Sequence, residues 1–242
     1  MVQGARPCDS RRVPQTRLEL AGLTTHIIGP ADAATTCVLL HGFGAPGDDL
    51  VGLAESIDAP VRFVCPEAPL SLGGLYGDSR AWWLLDLARL EDELRRGVVR
   101  DGRDEVPDDL PEARARVMRF IDELQARFSI PAKQLVLGGF SQGAMLSLDV
   151  AMHRDAPPAG LLLMSGTLIA ESVWQPRMPT LAGVPVMLSH GRQDNLLPFS
   201  VAEVLRDRLG AAGAVVDWHP FFGGHEIPGA ALAAADKLLR AV

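Results

Sequence analysis

The segment Leu135-Val136-Leu137-Gly138-Gly139-Phe140-Ser141-Gln142-Gly143-Ala144-Met145 decides the fold of this chain. It begins as a short apolar run and continues as an amphipathic helix, with a G-x-S-x-G pattern centred on Ser141 between them. Such a pattern is typical of a tight strand-to-helix turn, because glycines two residues either side of the serine let strand and helix pass closely. The hydroxyl group of Ser141 is therefore predicted to project above a sheet.

The same turn predicts an environment that stabilises negative charge. The backbone N–H of Gln142 would point to the place where an oxyanion forms beside Ser141, and the amino end of the following helix favours an anion. Small residues also co-occur by chance, so a plain Gly/Ser loop between a strand and a helix is the alternative interpretation. The rest of the chain has to decide between the two.

Apolar runs alternate with amphipathic segments from residue 36 to the end of the chain. Five runs are typical of buried strands, at 36–40, 61–65, 134–137, 160–164 and 184–189. The looser alternation over 17–28 predicts a hairpin or two edge strands. The pattern predicts an α/β fold with a mostly parallel central sheet and helices on both faces. We expect a single domain over residues 16–242 after a disordered tail of residues 1–15.

Composition and charge exclude several classes of protein. The 242 residues are 48% hydrophobic and 22% charged, which suits one large core, and the net charge of −7 argues against a nucleic-acid surface. Cys8, Cys37 and Cys65 are too few and too scattered for a disulfide framework or a zinc site. No apolar run is long enough to span a bilayer, and no signal-like apolar segment follows Arg11-Arg12. A cytoplasmic protein is expected.

Four polar candidates each follow a buried strand, so all are predicted at one edge of the sheet. They are the loop His41-Gly42-Phe43-Gly44, Ser141, Asp194 and His225. A nucleophile, an acid and a base at strand ends predict that Ser141 attacks a carbonyl, His225 moves the proton and Asp194 orients the imidazole. The N–H groups of Phe43 and Gln142 would hold the oxyanion.

Other residues compete for these roles. His190 precedes Asp194 by four residues but stands at a strand end before a glycine, which favours a structural role. His219 lies within the last strand, and Asp149 lies on the helix after Ser141 and points away. Asp194 and His225 are therefore preferred as the acid and the base.

Two further segments concern the part of the site that would bind the substrate. Trp82 and Trp83 are adjacent, so one of them is expected to line a groove, and packing of both under a loop is the alternative. Residues 86–109 are rich in charge and glycine, which predicts a solvated helix start followed by a mobile surface loop, with a flap over the site as the alternative.

Taken together, these motifs resemble the phospholipase/carboxylesterase family, which includes acyl-protein thioesterases and bacterial carboxylesterases. The similarity runs from about residue 36 to the end of the chain. It is carried by Gly139–Gly143, His41–Gly44, Ala81–Trp83, His190–Asp194 with Pro198, and Gly224–Ile227. The resemblance implies an α/β-hydrolase fold without a large cap, no cofactor and no metal, and chains that often form homodimers.

The expected function is that of a serine carboxylesterase, which hydrolyses short- to medium-chain esters or thioesters through an acyl-enzyme on Ser141. Trp82, Trp83, Leu72 and Leu168 are predicted to bind the substrate, in a pocket formed by residues 70–76, 81–84 and 168. Acyl-protein thioesterase or lysophospholipase-like activity is the alternative, followed by acyl transfer to another acceptor and by a non-catalytic binding protein. The sequence Ser165-Gly166-Thr167-Leu168 and the long charged segment differ from eukaryotic thioesterases, which weakens the case for depalmitoylation.

Overall fold

The computed structural model describes residues 15–74, 77–97 and 101–242, and its core is one eight-stranded sheet. The strands of the described residues are β1 (Gln15–Leu20), β2 (Leu23–Ile28), β3 (Thr36–Leu40), β4 (Arg62–Pro66), β5 (Leu70–Ser71), β6 (Arg80–Ala81), β7 (Leu135–Phe140), β8 (Gly160–Met164), β9 (Pro185–Gly191) and β10 (Val215–Phe221). The helices are α1 (Val51–Glu55), α2 (Leu87–Arg95), α3 (Leu110–Phe128), α4 (Gln142–His153), α5 (Glu171–Trp174), α6 (Phe199–Ala211) and α7 (Gly229–Leu239).

The sheet has the order β1-β2-β4-β3-β7-β8-β9-β10. The strands β1 and β2 form an antiparallel hairpin at one edge, and β2 pairs antiparallel with β4. All pairs from β4 to β10 are parallel. Every residue of β3, β4 and β8 is buried, as expected for central strands covered on both faces. The predicted fold class is confirmed.

Helices cover both faces of the sheet and divide the core into two layers. Buried side chains of α3, α4 and α6 pack on one face, and those of α1 and α7 pack on the other. Amphipathic spacing accounts for this arrangement in α3, whose apolar residues recur every three or four positions. These are Leu110, Ala113, Val117, Phe120, Ile121 and Leu124, all buried.

Several boundaries differ from the sequence predictions. The helix predicted over 50–57 is shorter, Val51–Glu55, and residues 165–180, predicted as a loop, contain α5. The irregular segment after β4 contains the short hairpin β5–β6. Residues 1–14 of the predicted tail lie outside the described residues, whereas Gln15 is the first residue of β1, because it pairs with Ile28. None of the helices in the described part of the chain is long and apolar enough to cross a membrane.

Candidate active site

Ser141 lies on a strained turn between β7 and α4. Its φ and ψ are 54° and −119°, a combination that costs a non-glycine residue about 1–3 kcal/mol and is typical of functional positions. A Cβ atom at Gly139 or Gly143 would overlap the carbonyl oxygen of Leu40 on the neighbouring strand. The two glycines therefore let α4 begin directly against β3, and this contact holds the turn at Ser141.

The loops after β9 and β10 are held together by backbone contacts. The N–H groups of Arg192 and Gln193 donate to the carbonyl oxygens of Phe221 and Gly223, both at 2.9 Å. A Cβ atom at Gly191 would overlap the carbonyl oxygens of Gly223 and Gly224, so only glycine permits this approach. These contacts bring together two segments that are 31 residues apart in sequence.

Asp194 and His225 are hydrogen-bonded to each other at this junction. The distance from His225 Nδ1 to Asp194 Oδ2 is 2.6 Å, and the other carboxylate oxygen accepts the N–H groups of Leu196 and Leu197, both at 2.9 Å. Since the carboxylate can only accept, Nδ1 carries the proton and Nε2 of His225 is left as the basic nitrogen. The ring of His225 lies 4.7 Å from that of Phe140, next to Ser141.

A second histidine, His190, contacts the same carboxylate, whereas the sequence analysis predicted only a structural role for it. His190 Nε2 lies 2.9 Å from the carbonyl oxygen of Leu197 and 3.3 Å from Asp194 Oδ2, and its side chain is fully buried. Both partners are acceptors, so the proton is on Nε2. The short distance in sequence between His190 and Asp194 was the one available signal. This spacing does not show in which direction the ring of a histidine at a strand end points.

The charge of Asp194 is stabilised by this set of donors. Burial by itself raises the pKa of the Asp194 carboxyl, but hydrogen bonds from His190, His225 and the N–H of Leu197 outweigh burial. The pKa is held well below its usual value. Asp194 is therefore a carboxylate throughout the neutral range and can orient His225 and stabilise an imidazolium.

Two backbone N–H groups beside Ser141 are unused by the described residues. Gln142 is the first residue of α4 and Phe43 lies in the loop after β3, and the hydrogen bonds found in the described residues use neither N–H. The loop is fixed by its neighbours, because the N–H of Gly44 donates to the carbonyl oxygen of Arg80 and the N–H of Arg80 donates to that of Ala45, both at 2.9 Å. The pair has the features of an oxyanion hole.

The side chain of Gln142 holds the tryptophan segment against the site. Its Oε1 accepts the N–H of Trp82 and its Nε2 donates to the carbonyl oxygen of Trp83, both at 2.9 Å. The indole N–H of Trp82 donates to the carbonyl oxygen of His41 at 3.0 Å. The sequence assigned Gln142 a backbone role, and its buried amide adds a second role that only tertiary contacts reveal.

A cavity of about 770 Å³ contains Ser141, Phe43, Gln142 and His225 in its wall. This volume lies within the range typical of small-molecule sites. The remaining wall is mainly apolar in the described part of the chain and comes largely from residues 83–93, 102–108 and 195–201. Its described apolar members outside the loop after β3 are Trp83, Leu84, Leu85, Leu90, Val106, Pro107, Phe140, Met145, Ile169, Leu196, Leu197, Pro198 and Val201.

Of the predicted substrate-binding residues, Trp83 lines this cavity and three others do not. Trp82 is turned towards His41, and its ring centroid lies 5.6 Å from that of the histidine. Leu168 is fully buried in the core, while its neighbours Thr167 and Ile169 line the cavity. Leu72 lies beside the β5–β6 hairpin, and Leu75 and Tyr76 of the predicted pocket fall outside the described residues.

The charged segment 86–109, interpreted as a surface excursion, borders the cavity instead. Leu90 of α2 and Val106 of the following loop both line it. The loop is anchored to the main body, because the N–H groups of Ala170 and Glu171 donate to the carbonyl oxygens of Glu105 and Arg103 at 3.0 and 2.8 Å. The structure therefore favours the alternative in which this segment is part of the site.

The chain resembles one family over most of its length. Residues 24–242 match the family described as Phospholipase/Carboxylesterase. The chain is 28% identical to acyl-protein thioesterase 1 of Yarrowia lipolytica, over 80% of this chain and 86% of that protein. It is 26% identical to acyl-protein thioesterase 1 of Mycosarcoma maydis, over 82% and 88% of the two chains.

Solved structures agree with the fold. The crystal structure of esterase PE8 matches with a TM-score of 0.75 and 27% identity, over 91% of this chain and 99% of that one. A carboxylesterase from Mesorhizobium loti matches with a TM-score of 0.72 over 94% and 99% of the two chains, but at 18% identity it supports only the fold.

Proposed function

The chain belongs to the phospholipase/carboxylesterase family, and we propose that it is a serine carboxylesterase that hydrolyses short- to medium-chain carboxylic esters or thioesters. The observation that carries the proposal is the hydrogen bond of 2.6 Å from His225 to the buried Asp194, because His225 lines the same cavity as the strained Ser141. A histidine oriented by a carboxylate beside a serine at a strand-to-helix turn is the arrangement that activates a hydroxyl nucleophile.

The proposed reaction has two steps, acylation and deacylation, and His225 transfers a proton in each. Nε2 of His225 takes the proton of the Ser141 hydroxyl while Oγ bonds to the substrate carbonyl, and the imidazolium then gives that proton to the leaving alcohol or thiol. The acyl-enzyme forms when the bond to the leaving group breaks. Water attacks it by the same route with His225 as base, and this step restores the serine and releases a carboxylic acid. Asp194 stays ionised throughout.

The negative oxygen of each tetrahedral intermediate is held by the N–H groups of Phe43 and Gln142. Each such donor contributes about 3 kcal/mol to stabilising the transition state. The amino end of α4 adds a favourable field at the same point. No metal or other cofactor is required in this scheme.

Substitution of the nucleophile tests the proposal. We expect Ser141→Ala to abolish hydrolysis of p-nitrophenyl acetate and butyrate with an unchanged circular dichroism spectrum, and to prevent labelling by a fluorophosphonate probe. The control is Ser200→Ala, which removes an exposed hydroxyl on α6 and should keep full activity. Wild-type rates in Ser141→Ala would refute the assignment, and a folded wild type without esterase activity would favour a binding protein.

Acyl-protein thioesterase activity is the second candidate, supported by the names of the relatives from Yarrowia and Mycosarcoma. A series of p-nitrophenyl esters and acyl thioesters from two to sixteen carbons separates the candidates. A maximum at short chains supports the carboxylesterase, and a maximum at long thioesters supports the thioesterase or a lysophospholipase-like enzyme.

Three further expectations stay predictions. They are a single domain over residues 16–242, a cytoplasmic location and a homodimer.

A further inference from the structure

We propose that the cavity selects substrates by the sign of their charge and favours cationic or neutral esters and thioesters over anionic ones. The inference rests on the proposed function, because it concerns the substrate of the same site. It comes from the charged side chains that line the cavity in the described part of the chain, all of which are acidic except one.

Among the residues that the structure describes, five carboxylates and one guanidinium line the cavity. The carboxylates are Asp49, Asp86, Glu93, Glu105 and Asp108, and the cation is Arg89. The acidic residues come from three separate parts of the chain, which are the loop after β3, α2 with its N-terminal flank, and the loop before α3. The negative charge is therefore spread around the wall and is not one local cluster.

Arg89 does not neutralise this excess. Its Nε lies 3.1 Å from Glu93 Oε1 and its Nη2 lies 3.2 Å from Glu105 Oε1, so its charge is already shared between two carboxylates. Among the ion pairs of the described residues, none involves Asp49 or Asp108. Asp49 and Asp108 therefore add negative charge beside a partly apolar space, where low-dielectric surfaces strengthen their field.

The apolar part of the wall defines the rest of the substrate. Leu84, Leu85, Val106 and Leu196 are large apolar side chains, each at least 40% exposed, and all four line the cavity. Exposed apolar surface gathered at one place is typical of a binding site. The preferred substrate is therefore an amphiphile with hydrocarbon next to an uncharged or positively charged group.

The field has the opposite sign at the reacting carbonyl. The unused N–H groups of Phe43 and Gln142 and the amino end of α4 favour negative charge there. The oxyanion that develops during the reaction is thus stabilised, whereas a permanent anionic group elsewhere on the substrate meets the carboxylates. The carboxylates of the wall also repel the carboxylate product, so they should assist its release.

Two substrate series test the inference on the complete protein. In one, a butyryl thioester carries a cationic leaving group (thiocholine), its neutral isostere (3,3-dimethylbutanethiol) or an anionic one (3-mercaptopropionate). In the other, p-nitrophenyl esters carry a trimethylammonium, a tert-butyl or a carboxylate group at the far end of a hexanoyl chain. The ratio of kcat/KM for the cationic over the anionic member, divided by the ratio of their uncatalysed hydrolysis rates, isolates the sign of the charge, because this division removes the difference in leaving-group reactivity and burial penalises both members.

We expect this ratio to exceed about tenfold in at least one series at low ionic strength and to fall to about threefold or less near 1 M salt, where the Debye length is about 3 Å. The double variant Asp49→Asn with Asp108→Asn should lower the ratio at low salt. The control, Asp32→Asn with Asp155→Asn, removes the same charge from exposed loops at the opposite edge of the sheet and should leave the ratio unchanged.

The outcomes separate the two proposals. Hydrolysis of the neutral members with a ratio near one in both series overturns the charge selection and leaves the esterase intact. An equal effect of the control variant also overturns it, because the effect would then come from net charge and not from the cavity. Failure to hydrolyse any member overturns the esterase, and the inference with it.

Discussion

His190 and His225 both reach the carboxylate oxygen Oδ2 of Asp194, His190 through Nε2 at 3.3 Å and His225 through Nδ1 at 2.6 Å. His190 is fully buried and shares its proton with the carbonyl oxygen of Leu197. It therefore fixes the carboxylate relative to the chain that follows, while His225 remains the histidine that faces the cavity. We infer that His190 positions Asp194.

Removal of the His190 donor should lower kcat more than it raises KM. We expect His190→Ala to lower kcat about tenfold, which corresponds to one hydrogen bond to a charged group, and to lower the free energy of unfolding by about 2 kcal/mol. Initial rates with p-nitrophenyl butyrate and urea unfolding provide the measurements. His190→Gln keeps a donor at the position of Nε2 and should recover most of kcat. An equal loss in both variants would indicate a role in packing alone.

The close contact between α4 and β3 predicts that Gly143 cannot be replaced. Gly143→Ala places a methyl group against the Leu40 carbonyl oxygen, so we expect a loss of about 3 kcal/mol or more in the free energy of unfolding, or no soluble protein. Thermal unfolding provides the measurement. Gly52→Ala is the control, because Gly52 lies in α1 with open space around it and should gain up to about 1 kcal/mol. Similar melting temperatures for the two variants would contradict the contact.

The side chain of Gln142 predicts an effect separate from its backbone N–H. Gln142→Ala leaves the N–H of Trp82 and the carbonyl oxygen of Trp83 without these partners, and each buried unpaired group costs about 1–3 kcal/mol. We expect a lower melting temperature together with a lower kcat. Gln142→Glu loses the donor and places a buried carboxylate beside the Trp83 carbonyl oxygen, so at neutral pH its stability should fall at least as far as that of Gln142→Ala. A fully stable Gln142→Ala would show that the tryptophan segment is held by packing.

The elements that carry the predicted site were visible in the sequence because they depend on local patterns. A buried strand followed by a polar residue predicts a side chain at the carboxyl edge of a parallel sheet, and Ser141, Asp194 and His225 all follow strands in this way. The G-x-S-x-G spacing likewise reports a contact between sequential elements. Predicting these features requires only that the strands are parallel and that the glycines mark places where neighbouring elements pack closely.

The rest depends on contacts between distant loops. Three features are set by the directions that side chains take after the loops have packed. They are the hydrogen bond donated by His190, the hydrogen bonds of the Gln142 side chain to the tryptophan segment, and the cavity wall formed by residues 83–93 and 102–108. Leu168 illustrates the difficulty, because it is buried in the core while the residues directly before and after it line the cavity. The many charged residues of 86–109 indicated exposure to solvent. Residues in the wall of an open cavity are also exposed to solvent, so the charge pattern did not distinguish the two.

The loop after β3 should make the protein less stable at mildly acidic pH. His41 is buried and its Nε2 accepts the N–H of Ala68 at 3.0 Å, while Nδ1 donates to the Gly42 carbonyl oxygen at 2.8 Å. Burial lowers the pKa of His41, so the unfolded chain takes up a proton near pH 6.5 and the folded chain only at lower pH. Between these values the unfolded state binds more protons, and stability falls as the pH falls.

Urea unfolding at pH 5 to 8 measures this dependence. We expect the free energy of unfolding to fall by up to about 1.4 kcal/mol per pH unit for each such histidine below about pH 6.5. Burial also lowers the pKa of His153, so it contributes with the same sign. His41→Gln can still accept the N–H of Ala68 and should flatten the curve, as should His153→Gln independently. A curve that is flat in wild type over this range would contradict the buried neutral state of His41.

Arg89 should hold the outer wall of the cavity in place. No described side chain of α2 is fully buried, and Arg89 links this helix to the following loop through Glu105 at 3.2 Å. Arg89→Ala removes that link, so we expect faster proteolysis within residues 87–109 and a several-fold higher KM for medium-chain esters at a similar kcat, since Ser141, Asp194 and His225 are untouched.

The matched control for Arg89 lies on the same helix. Arg95 is paired with Asp92 of α2 at 3.6 Å, so Arg95→Ala removes the same charge without cutting a link between α2 and the loop. It should leave proteolysis and KM near wild-type values. If both variants behave alike, helix stability and not the Arg89 link controls the wall. If Arg89→Ala lowers kcat at constant KM, the segment acts on the chemical step and not on binding of the acyl chain.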